Sequence, residues 1–451
     1  MTESHPRHSQ YPKIELAEAR QILRNIALEM SKSEETVDLF KKLHEEDDCV
    51  KIQELVRIEL LGRIISEEVR SLENIPPTRV STKDGYAVIA QDGIGQRKVV
   101  GVCLAGAIYQ ETLKQGDCVR ISTGGVIPDG ADAVVMREYT ERKSTDQSGN
   151  EQEIIVNRAV APGDNIRLPG SDIRVDSVIV PKGAQIGSAE LGILCAAGIK
   201  TVRVYKKSVV TVFSTGNELV SPTVSAVPFS KVRDSNGAQL YALFREHGFE
   251  SRDGGRISDD KESLKEKLKE NLELSNVIVT TGGVSMGEQD YMKDILKELG
   301  FTIEFGRINM KPGLPCTMGT RRSSIDQKLQ VVLALPGNPA SAWVCAHIFA
   351  VPLLRAMSGQ RINHSKINVR LEGGLSLGDR PEFVRARILH NDNDAIDYPV
   401  ARVTDNQVSS NIGSLVGADV LLELNAATLE KRTIEKNELV TALIVSPKFC
   451  F

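Results

Sequence analysis

Apolar side chains recur at helical spacing through the first seventy residues of the chain. After a polar stretch over residues 1–11, two series place apolar positions three or four residues apart, which puts them on one face of a helix. The two series are Leu16, Ala19, Ile22, Leu23 and Ile26, followed by Ile58, Leu61, Ile64 and Ile65. The acidic run 45–48 between them is typical of a solvated loop. We therefore predict a helix-rich segment from residue 13 to residue 72.

The pattern changes at residues 75–77 (Ile-Pro-Pro). From there to about residue 164, short β-rich runs are interrupted by Gly, Pro and Asp, and no helical period survives. The clearest runs are 98–104, 118–121 and 133–136. This pattern predicts a compact β-domain, in which the polar stretch 141–153 forms a surface hairpin loop.

A third pattern follows residue 204, where apolar runs alternate with helical periodicity. The runs are 208–213, 277–280 and 331–335, and the helical segments lie around 240–244, 290–299 and 339–354. Strands that are apolar throughout are expected to be covered on both faces. Their alternation with helices predicts a parallel α/β sheet with right-handed crossovers.

The C-terminal segment, from about residue 367 to residue 451, returns to short β-rich runs. These runs are 367–371, 384–389, 420–424 and 439–445. They predict a small β-barrel or a β-sandwich.

Composition and charge limit the classes of function. The chain has 451 residues, about three domains by length. It has 56 Lys and Arg against 60 Asp and Glu, a net charge of −4, and only 4% aromatic residues. Proteins that coat nucleic acid or anionic membrane need a cationic excess, and single-stranded nucleic acid also needs aromatic stacking. We therefore expect no nucleic-acid partner.

Targeting and redox signals are weak. The apolar run 343–354 is too short to cross a bilayer, and the N-terminus lacks the build of a signal or transit peptide. The seven cysteines are scattered and form no C-x-x-C pair, which signals neither a zinc site nor a disulfide framework. We expect a reduced, cytoplasmic protein with no membrane span.

Three glycine-containing loops follow the three predicted parallel strands. They are residues 214–219, 281–290 and 336–341. All three fall at carboxyl ends of strands, where open parallel sheets bind ligands. Glycine permits close backbone approach, and a following helix offers free N–H groups. These loops predict a phosphate or other oxyanion site, although a single loop of this kind would be weak support.

Carboxylates collect at the same predicted edge. They are Glu218, Asp234, Glu288 and Asp290. Carboxylates would repel a phosphate unless a divalent cation lay between them, and Mg²⁺ uses one or two carboxylates together with phosphate oxygens. The alternative for Asp234 and Asp290 is helix capping, since each precedes a predicted helix.

Lys311 is the candidate cation for an oxyanion. It precedes Pro312 and Gly313, so its backbone is biased toward an extended conformation before a turn. A lysine held in this way could neutralise an oxyanion, and the alternative is an ordinary surface lysine. The polar positions of 380–385, Ser409, Ser410 and Ser414 carry no signal by themselves.

These motifs, taken in order, resemble the molybdenum insertase family: bacterial MoeA, the E domain of the plant insertase and the E domain of gephyrin. The matching segments are 83–87, 123–133, 163–172, 214–219, 281–291, 310–315 and 336–339. The resemblance covers roughly residues 12 to 450. It implies a multi-domain α/β protein with a parallel-sheet, MogA-like α/β subdomain, an inserted β-subdomain, a helix-rich elongated subdomain and a C-terminal small β-barrel.

The resemblance also implies domain bounds and an assembly. The N-terminal helix over 12–31 would pack on the α/β subdomain. The four subdomains would be 32–72 with 166–204, then 73–165, 205–358 and 365–451. Family members are elongated homodimers, with the site between the α/β subdomain of one protomer and the β-subdomain of the other.

The resemblance implies the activity of a molybdopterin molybdenumtransferase, which transfers molybdenum to molybdopterin. Members bind adenylated molybdopterin and molybdate as substrates and hydrolyse the adenylate with Mg²⁺ or another divalent cation. They place molybdenum on the dithiolene to form the molybdenum cofactor, releasing AMP. The adenylate-synthesising G domain of the fused members does not occur in this sequence, so a separate molybdopterin adenylyltransferase is the expected supplier.

Family site residues carry over onto matching positions. The catalytic set would be Asp84, Thr123, Glu218, Asp234, Asp290 and Lys311, and the metal ligands Glu218, Asp234 and Asp290. Molybdate would be bound by Lys311, Arg385 and Ser414. The substrate would be bound by Arg167, Gly282, Gly283, Ser285, Gly337, Asn338 and Ser341, while Asp84 and Thr123 would come from the partner protomer.

The chain departs from the family at several positions, which are Thr78, Arg79, Leu314, Asn411, Val416 and Asp419. Leu314 replaces a second lysine, as in gephyrin, and Asn411 and Val416 replace arginines, so we expect weaker anion binding there. Two other hypotheses follow: a scaffold or receptor-binding protein that reuses the fold, as in gephyrin, or a generic nucleotide-phosphate hydrolase.

Overall fold

The computed structural model describes residues 11–30, 34–38, 60–145, 147, 149, 151–282, 291–325, 327–389, 398–404, 406–424 and 430–446. The chain divides into two compact units. One unit, called here the larger unit, comprises Met1–Glu35, Gly62–Ile64 and Tyr205–Phe451. The other, called the β unit, comprises Thr36–Leu61 and Ile65–Val204.

The N-terminal helix α1 (Leu16–Glu29) belongs to the larger unit. Its apolar face is buried as the spacing predicts, with Ala19 fully buried and Leu23 3% exposed. Arg20 on its polar side forms an ion pair with Glu423, a carboxylate that Lys366 also contacts at 2.6 Å. Burial alone would raise the pKa of Glu423, but the Lys366 hydrogen bond and the Arg20 charge hold that pKa below its ordinary value.

A six-stranded sheet forms the centre of the β unit. Its strands are β1 (Gly85–Val88), β2 (Gly95–Cys103), β3 (Asp117–Ile121), β4 (Ala133–Met136), β5 (Thr140–Thr145) and β6 (Glu151–Val156), in the order β4-β1-β3-β2-β6-β5. Only the β2–β3 pairing is parallel. Alternate residues bury on opposite faces, Tyr86 in one core cluster and Ala87 in another.

Two expectations for the β unit need correction. The stretch 141–153 does form a hairpin, but β5 and β6 are paired strands over most of it rather than a loop. The helix predicted over 58–65 is not formed at residues 60–65, which are described. Gly62, with φ 78°, ends a single turn there, and Ile65 instead bridges Val204 in antiparallel fashion.

Among the described residues of the β unit, Ser188–Ala196 form the α-helix α2. Twelve short strands of the described chain, several of them two residues long, pair in six two-stranded sheets. They are Ile14–Glu15, Glu34–Asp38, Val69–Arg70, Val80–Ser81, Ile166–Arg167, Val178–Val180, Thr201–Tyr205, Leu219–Val220, Val232–Arg233, Ile308–Asn309, Leu375–Ser376 and Thr433–Ile434.

The α/β part of the larger unit has a six-stranded sheet. Its elements are β7 (Val209–Thr215), α3 (Asn236–Glu246), β8 (Glu250–Ile257), α4 (Lys261–Leu272), β9 (Val277–Thr281), α5 (Tyr291–Glu298), β10 (Thr302–Phe305), β11 (Thr317–Arg322), β12 (Leu329–Leu335), α6 (Pro339–Cys345) and α7 (Val351–Met357). The strand order is β8-β7-β9-β12-β11-β10. The first four strands are parallel, as predicted, and the last two are antiparallel.

The central strands are covered on both faces. Along β9, Val279 packs in one core cluster and Ile278 in the other. The helical stretch Pro339–Met357 is long and apolar enough to cross a membrane, but 89% of its apolar window is buried inside the unit. Burial of that kind is expected of a core helix, so its apolar character is explained by the fold.

Three histidines and an arginine form a buried cluster beside that helix. His347 lies in the π-helical turn Ala346–Ala350, with its ring centre 5.4 Å from His247 and 6.4 Å from His364. An Nη of Arg355 lies 3.5 Å from Nδ1 of His247. Burial lowers the pKa of all three imidazoles, to about 3 for His247 and about 4 for His364. These side chains are therefore neutral at physiological pH.

The C-terminal segment is a closed barrel, which decides between the two predicted forms. Its strands are β13 (Lys366–Leu371), β14 (Glu382–Leu389), β15 (Val400–Val403), β16 (Val420–Leu424) and β17 (Leu439–Ile444), closed in the order β13-β15-β14-β16-β17. Inward-facing residues such as Val384 and Leu422 form its core. Closure removes exposed strand edges, so a barrel this small is stable without a covering sheet.

We expect Gly85→Ala to destabilise the β unit by at least about 2 kcal/mol, since overpacking against rigid atoms is costly. A Cβ at Gly85 would lie 1.9 Å from the carbonyl oxygen of Val135, and backbone cannot yield as a flexible side chain does. Urea unfolding would measure the effect. Gly192→Ala, on an exposed helical position with open space, is the matched control and should be neutral or slightly stabilising.

Candidate functional site

Two predicted carboxylates lie against the end of strand β7. Oδ1 of Asp234 accepts a hydrogen bond of 2.9 Å from the Ser214 hydroxyl. The Glu218 carboxylate lies against Gly216, where a Cβ would meet its oxygens at 2.6 and 2.7 Å. Glycine at position 216 therefore leaves the space that the Glu218 carboxylate occupies. The structure brings Glu218 and Asp234 to one strand end, as the sequence predicts.

Asp234 also caps a helix. Its Oδ1 accepts a second hydrogen bond, of 3.0 Å, from the backbone N–H of Gly237 in the first turn of α3. Both hydrogen bonds that Asp234 accepts from described residues are made by Oδ1. The interpretation of Asp234 as a helix cap is therefore correct, and capping leaves Oδ2 available for a ligand. Asp234 is 8% exposed and lines a cleft of about 600 Å³ together with Tyr241, Asp253 and Arg256.

Three predicted site residues, Gly283, Ser285 and Asp290, lie outside the described residues. Within the part of the chain that is described, no three His, Cys, Asp or Glu side chains gather closely enough to hold a metal ion. Glu218 and Asp234 supply two of the three expected carboxylates. Carboxylate oxygens suit Mg²⁺, which completes its shell with phosphate oxygens and water, so the donor set present fits such an ion.

The ends of β7, β9 and β12 meet through glycines and one amide. Gly282 has φ 93°, and a Cβ there would meet the Thr215 carbonyl oxygen at 2.3 Å. A Cβ at Gly337 would lie 3.6 Å from the Cα of Gly282. Nδ2 of Asn236 donates to Oγ1 of Thr281 at 2.6 Å and to the Gly337 carbonyl at 2.7 Å. The predicted convergence of strand ends is thus confirmed by contact.

The glycine-containing loop of residues 336–341 also contacts the barrel. Nδ2 of Asn338 donates to Oγ of Ser409 at 3.0 Å, and the backbone N–H of Ala340 donates to the Ser409 carbonyl at 3.1 Å. Ser341, the neighbouring candidate, is 3% exposed in the first turn of α6. These contacts place the α/β loop beside the barrel segment that carries Ser414.

Lys311 is a surface lysine, 48% exposed, whose backbone and ammonium group both have partners. Its N–H donates to the Pro381 carbonyl at 2.8 Å, and its own carbonyl accepts from the N–H of Phe383 at 2.8 Å. Its ammonium nitrogen lies 2.8 Å from Oε1 of Glu382, whose side chain is 8% exposed. The backbone and the side chain of Lys311 are therefore both tied to the beginning of β14.

Arg385 and Ser414 are in direct contact. Nε of Arg385 donates to Oγ of Ser414 at 3.2 Å, and the two residues are 1% and 2% exposed. Burial lowers the pKa of Arg385 to about 10, while the Glu382 charge acts in the opposite direction. The guanidinium therefore remains charged at neutral pH. Two of the three predicted molybdate ligands, Arg385 and Ser414, are therefore in contact, while Lys311 pairs with Glu382 at the start of the same strand.

Glu382 belongs to this group of side chains, although the sequence interpretation did not single it out. Its carboxylate pairs with Lys311, and its negative charge also raises the pKa of Arg385 against the effect of burial. The sequence feature that could have indicated Glu382 is its place within the motif 380–385. Asn236 was missed similarly, although it ends the motif 233–236.

In the β unit, two hydrogen bonds join Asp84 and Thr123, a contact that the sequence did not predict. Oδ1 of Asp84 accepts hydrogen bonds from the N–H of Thr123 at 2.7 Å and from its hydroxyl at 3.1 Å. These bonds, with a smaller contribution from the Arg137 charge, lower the pKa of Asp84. Arg167 lies in the strand that pairs with Val80–Ser81 and forms an ion pair with Asp172. Asp84 is therefore an ionised, positioned carboxylate.

Comparison with known proteins identifies the family. A model of the MoeA N-terminal region (domain I and II) matches residues 14–198, and a model of a probable molybdopterin binding domain matches residues 211–356. A molybdopterin molybdenumtransferase of Nostoc sp. is 31% identical over 347 residues, which are 75% of this chain and 74% of that protein. The chain belongs to the MoeA/gephyrin E-domain family. The resemblance predicted from the motifs is confirmed.

Other MoeA-family relatives agree. The Drosophila melanogaster molybdenum cofactor synthesis protein cinnamon is 35% identical over 384 residues, which cover 84% of this chain but 61% of that longer protein. A crystal structure of a molybdopterin biosynthesis MoeA protein from Pyrococcus horikosii has a TM-score of 0.77 and 28% identity, covering 96% of this chain and 99% of that chain. The predicted multi-domain α/β fold is therefore confirmed.

Proposed function

We propose that this chain is a molybdopterin molybdenumtransferase that hydrolyses adenylated molybdopterin, inserts molybdate into the dithiolene and releases AMP. One observation carries the proposal: the backbone of Lys311 is paired with residues 381–383 at the start of the strand that bears Arg385. This pairing joins an oxyanion-binding group on the barrel to the α/β part that carries Glu218 and Asp234. The names of its MoeA-family relatives agree with that activity.

The carboxylates would act on the adenylate. Glu218, Asp234 and Asp290 would hold a divalent cation, which supplies charge neutralisation at the phosphoryl oxygens when bound. Ser214 and the N–H of Gly237 fix one oxygen of Asp234, so that the other is presented at a set angle. The glycine loops around Gly282 and Gly337 let the backbone approach the phosphate, while Gly283 and Ser285 would complete that cradle.

Molybdate, as substrate, would bind at Lys311, Arg385 and Ser414. A dianion needs cationic and hydroxyl partners, which these residues supply. Oγ of Ser414 donates to the Asn411 carbonyl at 2.7 Å, and Arg385 donates to that same Oγ. The guanidinium is thereby held in one orientation and retains further N–H groups for the anion.

The β unit would complete the site from the partner subunit of a homodimer. Asp84 is ionised and fixed by Thr123, as a group that orients an attacking water or a cation should be. Arg167 would contact the phosphate-bearing substrate. A separate adenylyltransferase would deliver this substrate in the cytoplasm.

The test is AMP release by the purified protein from adenylated molybdopterin with Mg²⁺ and molybdate. We expect molybdate-dependent release, and we expect Asp234→Asn to lower it by about 100-fold or more, as loss of a metal-holding or charge-stabilising group does. Circular dichroism and thermal unfolding would show that the variant is folded.

Three results would contradict the proposal. AMP release no faster than in buffer would show that the protein lacks the proposed activity. Unchanged turnover in Asp234→Asn would favour the scaffold hypothesis, in which the carboxylates have no chemical role. Cleavage of ATP as fast as the pterin adenylate would favour the generic hydrolase.

A further inference from the structure

Asn236, the first residue of helix α3, has an amide of fixed orientation. It is 8% exposed, and its Nδ2 donates to Oγ1 of Thr281 and to the Gly337 carbonyl at 2.6 and 2.7 Å. A backbone carbonyl only accepts hydrogen bonds, so the amide atom that faces Gly337 must be the nitrogen. The amide oxygen therefore points away from both strand ends.

This oxygen is buried and lacks a hydrogen-bond partner among the described residues. Gln239, three positions later on the same helix face, repeats the arrangement. Its Nε2 donates to the Pro339 carbonyl at 3.3 Å, and its buried Oε1 also lacks a partner within the described part of the chain. Buried acceptors without donors are costly, and they are uncommon in folded proteins unless a ligand or water supplies the donor.

The chemistry of the two oxygens restricts what they can bind. Both belong to neutral amides that already use their donors on the loop of residues 337–339. Phosphate and molybdate oxygens accept hydrogen bonds, so neither anion can satisfy these atoms. The Watson–Crick edge of adenine offers one donor beside one acceptor. Two acceptors on one helix face instead match an edge that carries two neighbouring N–H donors.

We propose that Asn236 Oδ1 and Gln239 Oε1 recognise the 2-amino and N3–H edge of a pterin. This inference rests on the proposed function, which makes a pterin the substrate, and it adds the residues that select it. The position is suitable, since Asn236 touches the two glycine loops and follows Asp234 by two residues along the chain. The pterin ring would then lie beside the loops that cradle its phosphate.

The experiment compares two ligands that differ at that edge. Neopterin monophosphate has a 2-amino group, which is a hydrogen-bond donor. The corresponding lumazine phosphate has a 2-oxo group, which presents an acceptor at the same position. Binding is measured by fluorescence titration in EDTA, so that no metal ion contributes. We expect the full-length protein to bind the pterin about tenfold or more tightly than the lumazine, and Asn236→Ala to reduce this preference below about threefold.

Thr281→Val is the matched control. It removes the hydroxyl to which Asn236 donates but leaves the amide oxygen in place, so the preference for the pterin should survive. A loss of preference in Thr281→Val equal to that in Asn236→Ala would mean a merely structural role and would overturn the inference. If Asn236→Ala does not fold, Gln239→Met at a half-buried position carries the same expectation.

The remaining outcomes separate this inference from the proposed function. Equal binding of the two esters by the unmodified protein, or a preference that persists in Asn236→Ala, would overturn the inference and leave the activity standing. Failure of the unmodified protein to bind either ester at millimolar concentration would contradict pterin recognition itself, and with it the proposed function.

Discussion

Lys311→Met is expected to lower the rate of molybdate-dependent AMP release by about 100-fold or more at limiting molybdate. The substitution removes one cation, and it also leaves the buried Glu382 carboxylate beside the anion site without the partner that lies 2.8 Å away. Loss of a group that stabilises charge in a catalytic site typically costs about 100- to 1000-fold in rate. Because Lys311 is 48% exposed, water screens the carboxylate left behind and limits its further cost. The measurement is the second-order rate constant for molybdate.

A second substitution separates the two contributions. In Lys311→Met with Glu382→Gln the uncompensated carboxylate is gone, and we expect recovery of about tenfold relative to Lys311→Met alone. Lys207→Met, a lysine just before the amino end of β7, is the matched control and should leave the rate unchanged. A double variant as slow as the single one would show that Glu382 does not modulate the anion site.

The free energy of unfolding is expected to fall steeply as the pH drops below 6.5. The buried imidazoles of His247, His347 and His364 have folded-state pKa values below the ordinary 6.5, with about 3 for His247 and about 4 for His364. The unfolded chain therefore binds protons from pH 6.5 downward while the folded chain does not. Their stabilisation is fully present above pH 6.5 and is lost as the pH falls toward 4 and then 3.

The size of this effect follows from linkage. Each histidine contributes a loss of about 1 kcal/mol between pH 6.5 and 5.5, which gives about 3 kcal/mol for the three. The charged groups that act on the cluster, Arg355 and Arg20, are cations and further disfavour imidazolium. Urea unfolding at several pH values would measure the loss.

A single substitution provides the control for the pH effect. His247→Gln should reduce the pH dependence by about one third, because two titrating imidazoles remain. A free energy of unfolding that is flat between pH 6.5 and 5.5 would show that the three imidazoles are not held neutral in the folded protein.

The parallel sheet could be predicted because its central strands are apolar throughout. Helix α4 (Lys261–Leu272) could not, since its lysines and glutamates leave only a narrow apolar stripe of Leu264, Leu268 and Leu272. Strand β15 was not predicted because its four residues are too few to show an alternating pattern. The helical spacing at 58–65 misled because Gly62 and the bridge from Ile65 to Val204 override a local pattern.

The residues of the candidate site also fall into two groups, those that could be proposed from the sequence and those that could not. Asp234 could be proposed from its place after a predicted strand, whereas Arg385 and Ser414 were proposed only through the resemblance to a family. The structure brings the last two into contact. Glu382 acts through its pairing with Lys311, a contact between positions 71 residues apart that no local pattern encodes. The unpartnered oxygen of Asn236 depends on where two other strand ends stop, which only the folded chain reveals.

Lys311 is part of the α/β fold by chain order but part of the barrel by hydrogen bonding. Its peptide forms a rung with residues 381 and 383, so backbone hydrogen bonds set the position of its α-carbon relative to strand β14. Phe383 of that strand packs in the same core cluster as Leu333 of the α/β sheet. The two folds therefore share one core at this junction, and a substitution that loosens the junction is expected to disturb both of them together.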